Sequence, residues 1–313
     1  MWSHHGTNPW ADPMGAREGD SMKFGFSLSN NQGIEEVQSI IRLATRAEAL
    51  GFDSVWASDH VFNASYVYDR IGDRPYYDPL TILSYIAAVT TRIGLGTSVL
   101  VLPYHHPMRL AKAAATLDVL SGGRVMLGVG VGVIAEELNA MGSPYEERGA
   151  RTDEAITIMQ ALWTQARPSH YGHVYQFSGM AFAPKPIQQP HIPLLIGGVS
   201  RAAIRRAARV GNGWHPTALA PEILQESMRY LAEQAQAAGR EASEIPVSMS
   251  LPLQSSRAGR YALGLDPTEM VQKIRTFARL GVDRVVISPY TGEAQEMNQA
   301  LEVIARDVMP ACV

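Results

Sequence analysis

The chain has 313 residues, 46% of them hydrophobic and 18% charged, which suits one large core, since no linker-like break divides it. A formal net charge of -3 without any Lys/Arg run argues against nucleic acid, and the single cysteine, Cys312, rules out an internal disulfide framework or a cysteine-based metal cluster. No stretch reaches ~18 consecutive apolar residues, so the expectation is a cytoplasmic protein in a reducing compartment, without a membrane span and acting on a small molecule.

Residues 1–21 are rich in Gly, Pro, His and Asp without period and read as a flexible arm, the fold proper running over 22–313. The first strand is predicted over Lys23 to Leu28, followed by a helix from Ile34 to Leu50 whose apolar positions recur at three and four. The second strand covers Asp53 to Ser58, and the segment from Asp59 to Asp78 is too long and polar for a tight connection. Pro79 opens the next helix, to Val89. The third strand spans Arg92 to Val101, its helix Met108 to Leu120, and the fourth strand Val125 to Val129, running into GVGVG. A helix over Arg148 to Thr164 and a small excursion hairpin over Gly172 to Ala183 precede strand five, Pro193 to Ile196. Strands six, seven and eight fall at Gly213 to His215, Pro246 to Ser250 and Arg284 to Ser288. Helices are predicted at Arg201 to Val210, Pro221 to Ala238, Pro267 to Leu280 and Ala294 to Asp307. Eight strands of this kind in alternation with helices imply an α/β fold, a closed (β/α)8 TIM barrel, rather than an open doubly wound sheet.

In a parallel barrel the C-terminal strand ends share one mouth, and that rule selects the candidates. Strand two ends in Ser58, Asp59 and His60; a His beside a carboxylate can be held in one tautomer and exchange protons near neutral pH. The plainer alternative is a loop His capping an element. Gly96, Thr97 and Ser98 allow a flat ring to lie against the backbone, or mark a simple glycine bulge. Gly128 to Gly132 expose main-chain amides, as do Gly197 and Gly198 before Val199 and the N-cap Ser200. Together these two clusters point to an extended phosphorylated ligand, each being by itself an ordinary barrel turn. Arg148 and Arg151 read as surface ion pairs or an anion clamp, and His105 and His106 as helix caps or mouth lining, with no metal expected. Phe62, Tyr66, Tyr68, Tyr76 and Tyr77 offer a partly apolar substrate wall, with Trp214 and His215 as further substrate candidates.

The segments DSVWASDH, TTRIGLGTSVLVLPYHHP, LDVLSGGRVMLGVGVG, ERGARTDEAI and PLLIGGVSRAAIRRAARVGNGWHP resemble, in this order, the bacterial luciferase-like monooxygenase superfamily, and within it the oxidoreductases that use the deazaflavin coenzyme F420. The resemblance implies an interrupted barrel, usually a homodimer, with the ring of F420 in the mouth. It implies Asp59 and His60 beside the ring, His60 exchanging the proton; a non-prolyl cis peptide between Ser98 and Val99 behind it; and Val131, Gly132, Gly197, Gly198 and Val199 along the cofactor's tail. Some relatives carry Thr at the position of Val131, so contact there would come from the backbone. Relatives that oxidise glucose 6-phosphate carry an acidic residue at the end of strand one, where this chain has Ser27, Leu28, Ser29 and Asn30, which argues against that substrate. The implied activity is hydride transfer between F420 and an unidentified small organic substrate. The alternatives are a two-component monooxygenase using FMN and oxygen, and a non-catalytic barrel subunit.

Overall fold

Strands that are apolar at nearly every position must be covered on both faces, and here they pair in parallel inside a ring of helices. The computed structural model describes residues 22–253 and 261–312. The arm predicted over residues 1–21 lies outside the described residues.

The barrel strands are β1 (Lys23–Ser27), β2 (Ser54–Ala57), β3 (Gly94–Val101) and β4 (Val125–Gly130), then, after a small antiparallel hairpin of β5 (His170–Tyr171) and β6 (Gln176–Phe177), β7 (Leu194–Gly197), β8 (Gly213–His215), β9 (Ser248–Pro252) and β10 (Arg284–Ser288). They run β8-β7-β4-β3-β2-β1-β10-β9 in one sheet. The ends of that sheet meet through two isolated bridges, Trp214 to Val247 and Thr217 to Ser250, so the predicted (β/α)8 barrel is nearly closed. The seventh barrel strand lies two residues later than predicted, because Pro246 and Val247 are drawn toward β8, Pro246 accepting the Trp214 N–H at 2.9 Å.

The long helices follow the predicted spacing: α1 (Val37–Ala49), then, after the short α2 (Tyr66–Ile71), α3 (Pro79–Val89) and α4 (Pro107–Ser121). After the short α5 (Ala135–Ala140) come α6 (Arg148–Thr164), α7 (Arg201–Val210), α8 (Pro221–Ala237), α9 (Pro267–Arg279) and α10 (Ala294–Val303). Caps stand where the side chains require them: Asp78 accepts from the Thr81 N–H at 2.7 Å ahead of Pro79, and Ser200 from Ala203 at 3.2 Å. Among the described residues no helix is long and apolar enough to cross a membrane.

The barrel wall has a different packing on each of its two faces. Outward-facing strand residues such as Val55, Leu95, Leu127 and Ile196 meet the helices in the main core. Inside the barrel, Trp56, Met126, Leu195 and Val286 form a second cluster. The Trp56 indole lies across the barrel, tied to Ser54 Oγ at 2.8 Å, and a Cβ on either Gly25 or Gly96 would collide with it. Gly96 therefore does accommodate a flat ring, but the ring is the protein's own. His215 stacks on the indole at 5.0 Å and 7°, and the Arg284 guanidinium lies 5.9 Å from its centroid. With the interior plugged in this way, the space left is above it, at the C-terminal strand ends.

Candidate active site

A cavity of about 520 Å³ occupies that mouth, a size ordinary for a small-molecule site. Every barrel strand supplies lining from its end or the loop that follows, β8 through Thr217, two residues past its end.

One wall is the bulge of β3. The register with β4 slips between Thr97 and Leu100, and the Ser98–Val99 peptide is cis, as the resemblance implied. Val99 projects into the space between neighbouring strands: a Cβ on Gly130 would sit 2.7 Å from its Cγ2, and one on Gly197 2.7 Å from its Cγ1. The glycines at the ends of β4 and β7 are thus explained first by the bulge they make room for. Gly130, Val131, Gly132, Gly197 and Gly198 nonetheless all line the cavity, with Gly132 and Gly198 at φ +81 and +110, so their main chain borders the open space. Val199 does not line it and is half exposed. Beneath the bulge, Ser98 Oγ bonds His215 Nε2 at 2.8 Å, and burial pushes His215 down to about 4, which keeps the imidazole neutral.

The opposite side of the bulge is braced by Asp59, which accepts the Val101 N–H at 2.9 Å and His105 Nε2 at 2.7 Å. Burial alone would lower the His105 pKa, but the bond to Asp59 and its charge outweigh burial and raise it. Asp59 is therefore paired with His105, not with its sequence neighbour His60 as adjacency implied. His60 has a different carboxylate: its Nδ1 donates to Glu137 Oε2 at 2.7 Å, while Nε2 faces the Tyr66 hydroxyl at 3.0 Å. Glu137, from α5, has a fully buried side chain and also accepts from Tyr104 Oη at 2.7 Å and from the Val61 and Phe62 amides at 2.5 and 3.0 Å. Burial would raise its pKa, yet these bonds, that of His60 first, hold it below the ordinary carboxylate value. The carboxylate fixes the tautomer, leaving the Nε2 lone pair to accept from the Tyr66 hydroxyl at the edge of the cavity. Tyr66 and Tyr76 pack edge-on to the His60 ring.

His60, Asp59, Ser98, Val99, Val131, Gly132, Gly197 and Gly198 are thus brought to one hollow. Three substrate candidates are not. Phe62 is exposed outside the cavity, Trp214 is buried in the outer core with its Nε1–H donated to the Gly198 carbonyl at 2.8 Å, and His215 lies below the bulge. Of the five aromatics in the long second loop, Tyr66 and Tyr76 line the cavity; Tyr68 is exposed and Tyr77 packs on the main core. Arg151 pairs with Glu147 and Arg148 lies over the Tyr145 ring, so neither reaches the mouth. Glu137 lies on a six-residue helix, too short to show a period in the sequence; Ser250, Pro252 and Ser288 stand at the ends of β9 and β10, where the strand-end rule also points.

The family model of the luciferase-like monooxygenases matches residues 22–263. An F420-dependent glucose-6-phosphate dehydrogenase of Microbacterium testaceum is 28% identical over 92% of this chain and 97% of its own. Among solved structures, the monooxygenase RslO1 from Streptomyces bottropensis superposes with a TM-score of 0.78 at 24% identity, covering 92% of this chain and 99% of its own. An F420-dependent secondary alcohol dehydrogenase in complex with an F420-acetone adduct gives 0.79 at 20%, covering 94% and 99%. These last two likenesses establish the fold.

Proposed function

We propose that this chain, which belongs to the luciferase-like monooxygenase family, is an oxidoreductase that transfers a hydride between coenzyme F420 and a small organic substrate. The observation that carries the reading is the His60–Glu137 pair at the edge of a cavity walled by the Val99 bulge. The named relatives that depend on F420 support the choice of cofactor.

The residues present fit such a group. Glycines leave the main chain of β4 and β7 bare along one side of the cavity, where a phosphorylated tail would be held by Gly130 to Gly132, Gly197 and Gly198, with Val199 at the approach to α7. Val99 would back the ring, and Ser98, fixed by neutral His215, keeps the bulge in place. When bound, a deazaflavin supplies a carbon centre that exchanges two electrons as hydride and activates oxygen poorly. The protein's part is to orient the reactants, exclude water and move a proton. Glu137 holds the His60 Nδ1–H, so that Nε2, once a substrate oxygen replaces the Tyr66 hydroxyl beside it, takes the substrate's hydroxyl proton in oxidation or returns one to a carbonyl oxygen in reduction. At the end of β1, Ser27, Asn31 and Gln32 line the cavity, so the acidic residue of the glucose-6-phosphate dehydrogenases has no counterpart there, and that substrate is not carried over.

Titrating the purified protein with F420 and, separately, with FMN tests the reading. Micromolar F420 binding is expected, and His60→Gln should keep that affinity while lowering turnover by roughly 10²- to 10⁴-fold once a substrate is in hand. FMN binding without F420 binding would instead favour a two-component monooxygenase, in line with the fold shared with RslO1. Binding of neither would favour a non-catalytic subunit. We also read the protein as a homodimer, on the exposed apolar side chains Tyr85, Val89, Val119 and Leu120 of the neighbouring helices α3 and α4.

A further inference from the structure

Around the ring, β1 and β10 stand opposite β4 and β7, so the cavity has a second side, away from the glycine-rich ends proposed to hold the cofactor's tail. That side carries Arg70 of α2, with Asn31 and Gln32 after β1 and Pro289 and Tyr290 after β10. Arg70 is the only arginine or lysine among the described residues that line the cavity. Its Nη2 donates to the Asn31 carbonyl at 3.0 Å, and its guanidinium lies 5.9 Å from the Tyr290 ring centroid, so the group is held in one orientation across the loops. Its Nε is buried and has no hydrogen-bond partner in the protein. A buried guanidinium N–H left without an acceptor is costly; Nε itself is closed to solvent, so a ligand oxygen would offset that cost at the part of the side chain that lines the cavity. The one carboxylate among the described lining residues does not compensate: Asp59 is engaged by His105 and Val101, and Glu137, behind His60, is held by His60, Tyr104 and two amides.

We propose that Arg70 recognises an anionic oxygen group, a carboxylate or phosphate, on the substrate, and so sets both its class and its orientation relative to His60. The proposal rests on the functional reading above insofar as it takes the opposite wall for the cofactor. A guanidinium presents its donors in a fixed planar fork, which suits an oxyanion better than an alcohol or ketone. A substrate anchored there presents its remaining atoms inward, toward the hollow that His60 borders. The alternative role for Arg70 is merely to tie α2 to the β1 loop through the Asn31 carbonyl.

The test uses the full chain loaded with whichever of F420 or FMN it binds, so that failure of the cofactor assignment is read separately from failure of this one. Pyruvate and phosphoenolpyruvate serve as anionic probes and acetone as the neutral one, binding being followed by the visible absorbance of the bound cofactor and by ligand-observed NMR. At least one anionic probe should bind in the millimolar range or tighter, more tightly than acetone, and Arg70→Gln should weaken it by roughly ten- to a hundredfold with cofactor affinity and thermal midpoint unchanged. Arg70→Lys should recover part of the loss. Preference for pyruvate or for phosphoenolpyruvate separates carboxylate from phosphate recognition. Equal affinity of the anionic probes for wild type and Arg70→Gln, no anionic binding by the wild type, or a loss that merely tracks a lowered thermal midpoint would each overturn the proposal.

Discussion

His60 and His215 show how one side-chain type is set to two tasks by its surroundings. His60 keeps a carboxylate at one ring nitrogen and the cavity at the other, whereas His215 is sealed between Trp56 and the Ser98 hydroxyl with burial holding it neutral. Because its folded pKa, about 4, lies below the ordinary 6.5, the unfolded chain binds more protons than the native one between those values. Native stability from this residue is therefore complete above pH 6.5 and falls as pH drops toward 4, by on the order of 3 kcal/mol. Urea unfolding at pH 7 and pH 4.5 should show this loss in the wild type, and a His215→Asn variant, less stable at pH 7, should show a shallower acid limb. An identical pH slope in both proteins would mean that His215 is not the group titrating.

The bulge of β3 and the glycines at the ends of β4 and β7 act as one structural unit. Placing a methyl at residue 197 puts it 2.7 Å from Val99 Cγ1, so Gly197→Ala should destabilise the fold by about 1–3 kcal/mol and distort the wall against which a ring would rest. Val99→Ala removes the opposing methyls. In the double variant most of the cost of Gly197→Ala should vanish, which a mutant cycle by chemical denaturation measures, and strict additivity would refute the steric account. Elements of this length were largely legible in the sequence: α3, α6 and α7 have the predicted bounds because a residue every third or fourth position meets the main core, with Pro79 and Ser200 marking the starts of α3 and α7. The short α2 and α5 were not, since six residues make too few turns to establish a period. The glycine-rich ends are visible in the sequence, but their packing reason is not, because a demand made by Val99 on Gly130 and Gly197, 31 and 98 positions further along, leaves no local trace.

At the scale of the whole molecule, closing the barrel is what assembles the site, and the pairings it creates were beyond reach of adjacency. Asp59 meets His105 and His60 meets Glu137 across 46 and 77 positions, although Asp59 and His60 are consecutive. The strand-end rule still placed the mouth correctly, since it depends on topology and not on which side chains touch. The outside of the barrel carries its own prediction: Leu120, 70% exposed on α4, should be covered in the proposed dimer, so Leu120→Glu should shift the chain toward monomer in light scattering while leaving the circular dichroism unchanged. An unaltered mass would place the contact elsewhere. Finally, the indole that plugs the barrel lies one layer beneath the hollow, rigidly stacked and shielded from water. Any coloured heterocycle settling above it should drain its excited state by energy transfer, so the share of the emission that Trp56 contributes beside the chain's four other tryptophans gives the protein a built-in optical gauge of occupancy, readable without a label or a known substrate.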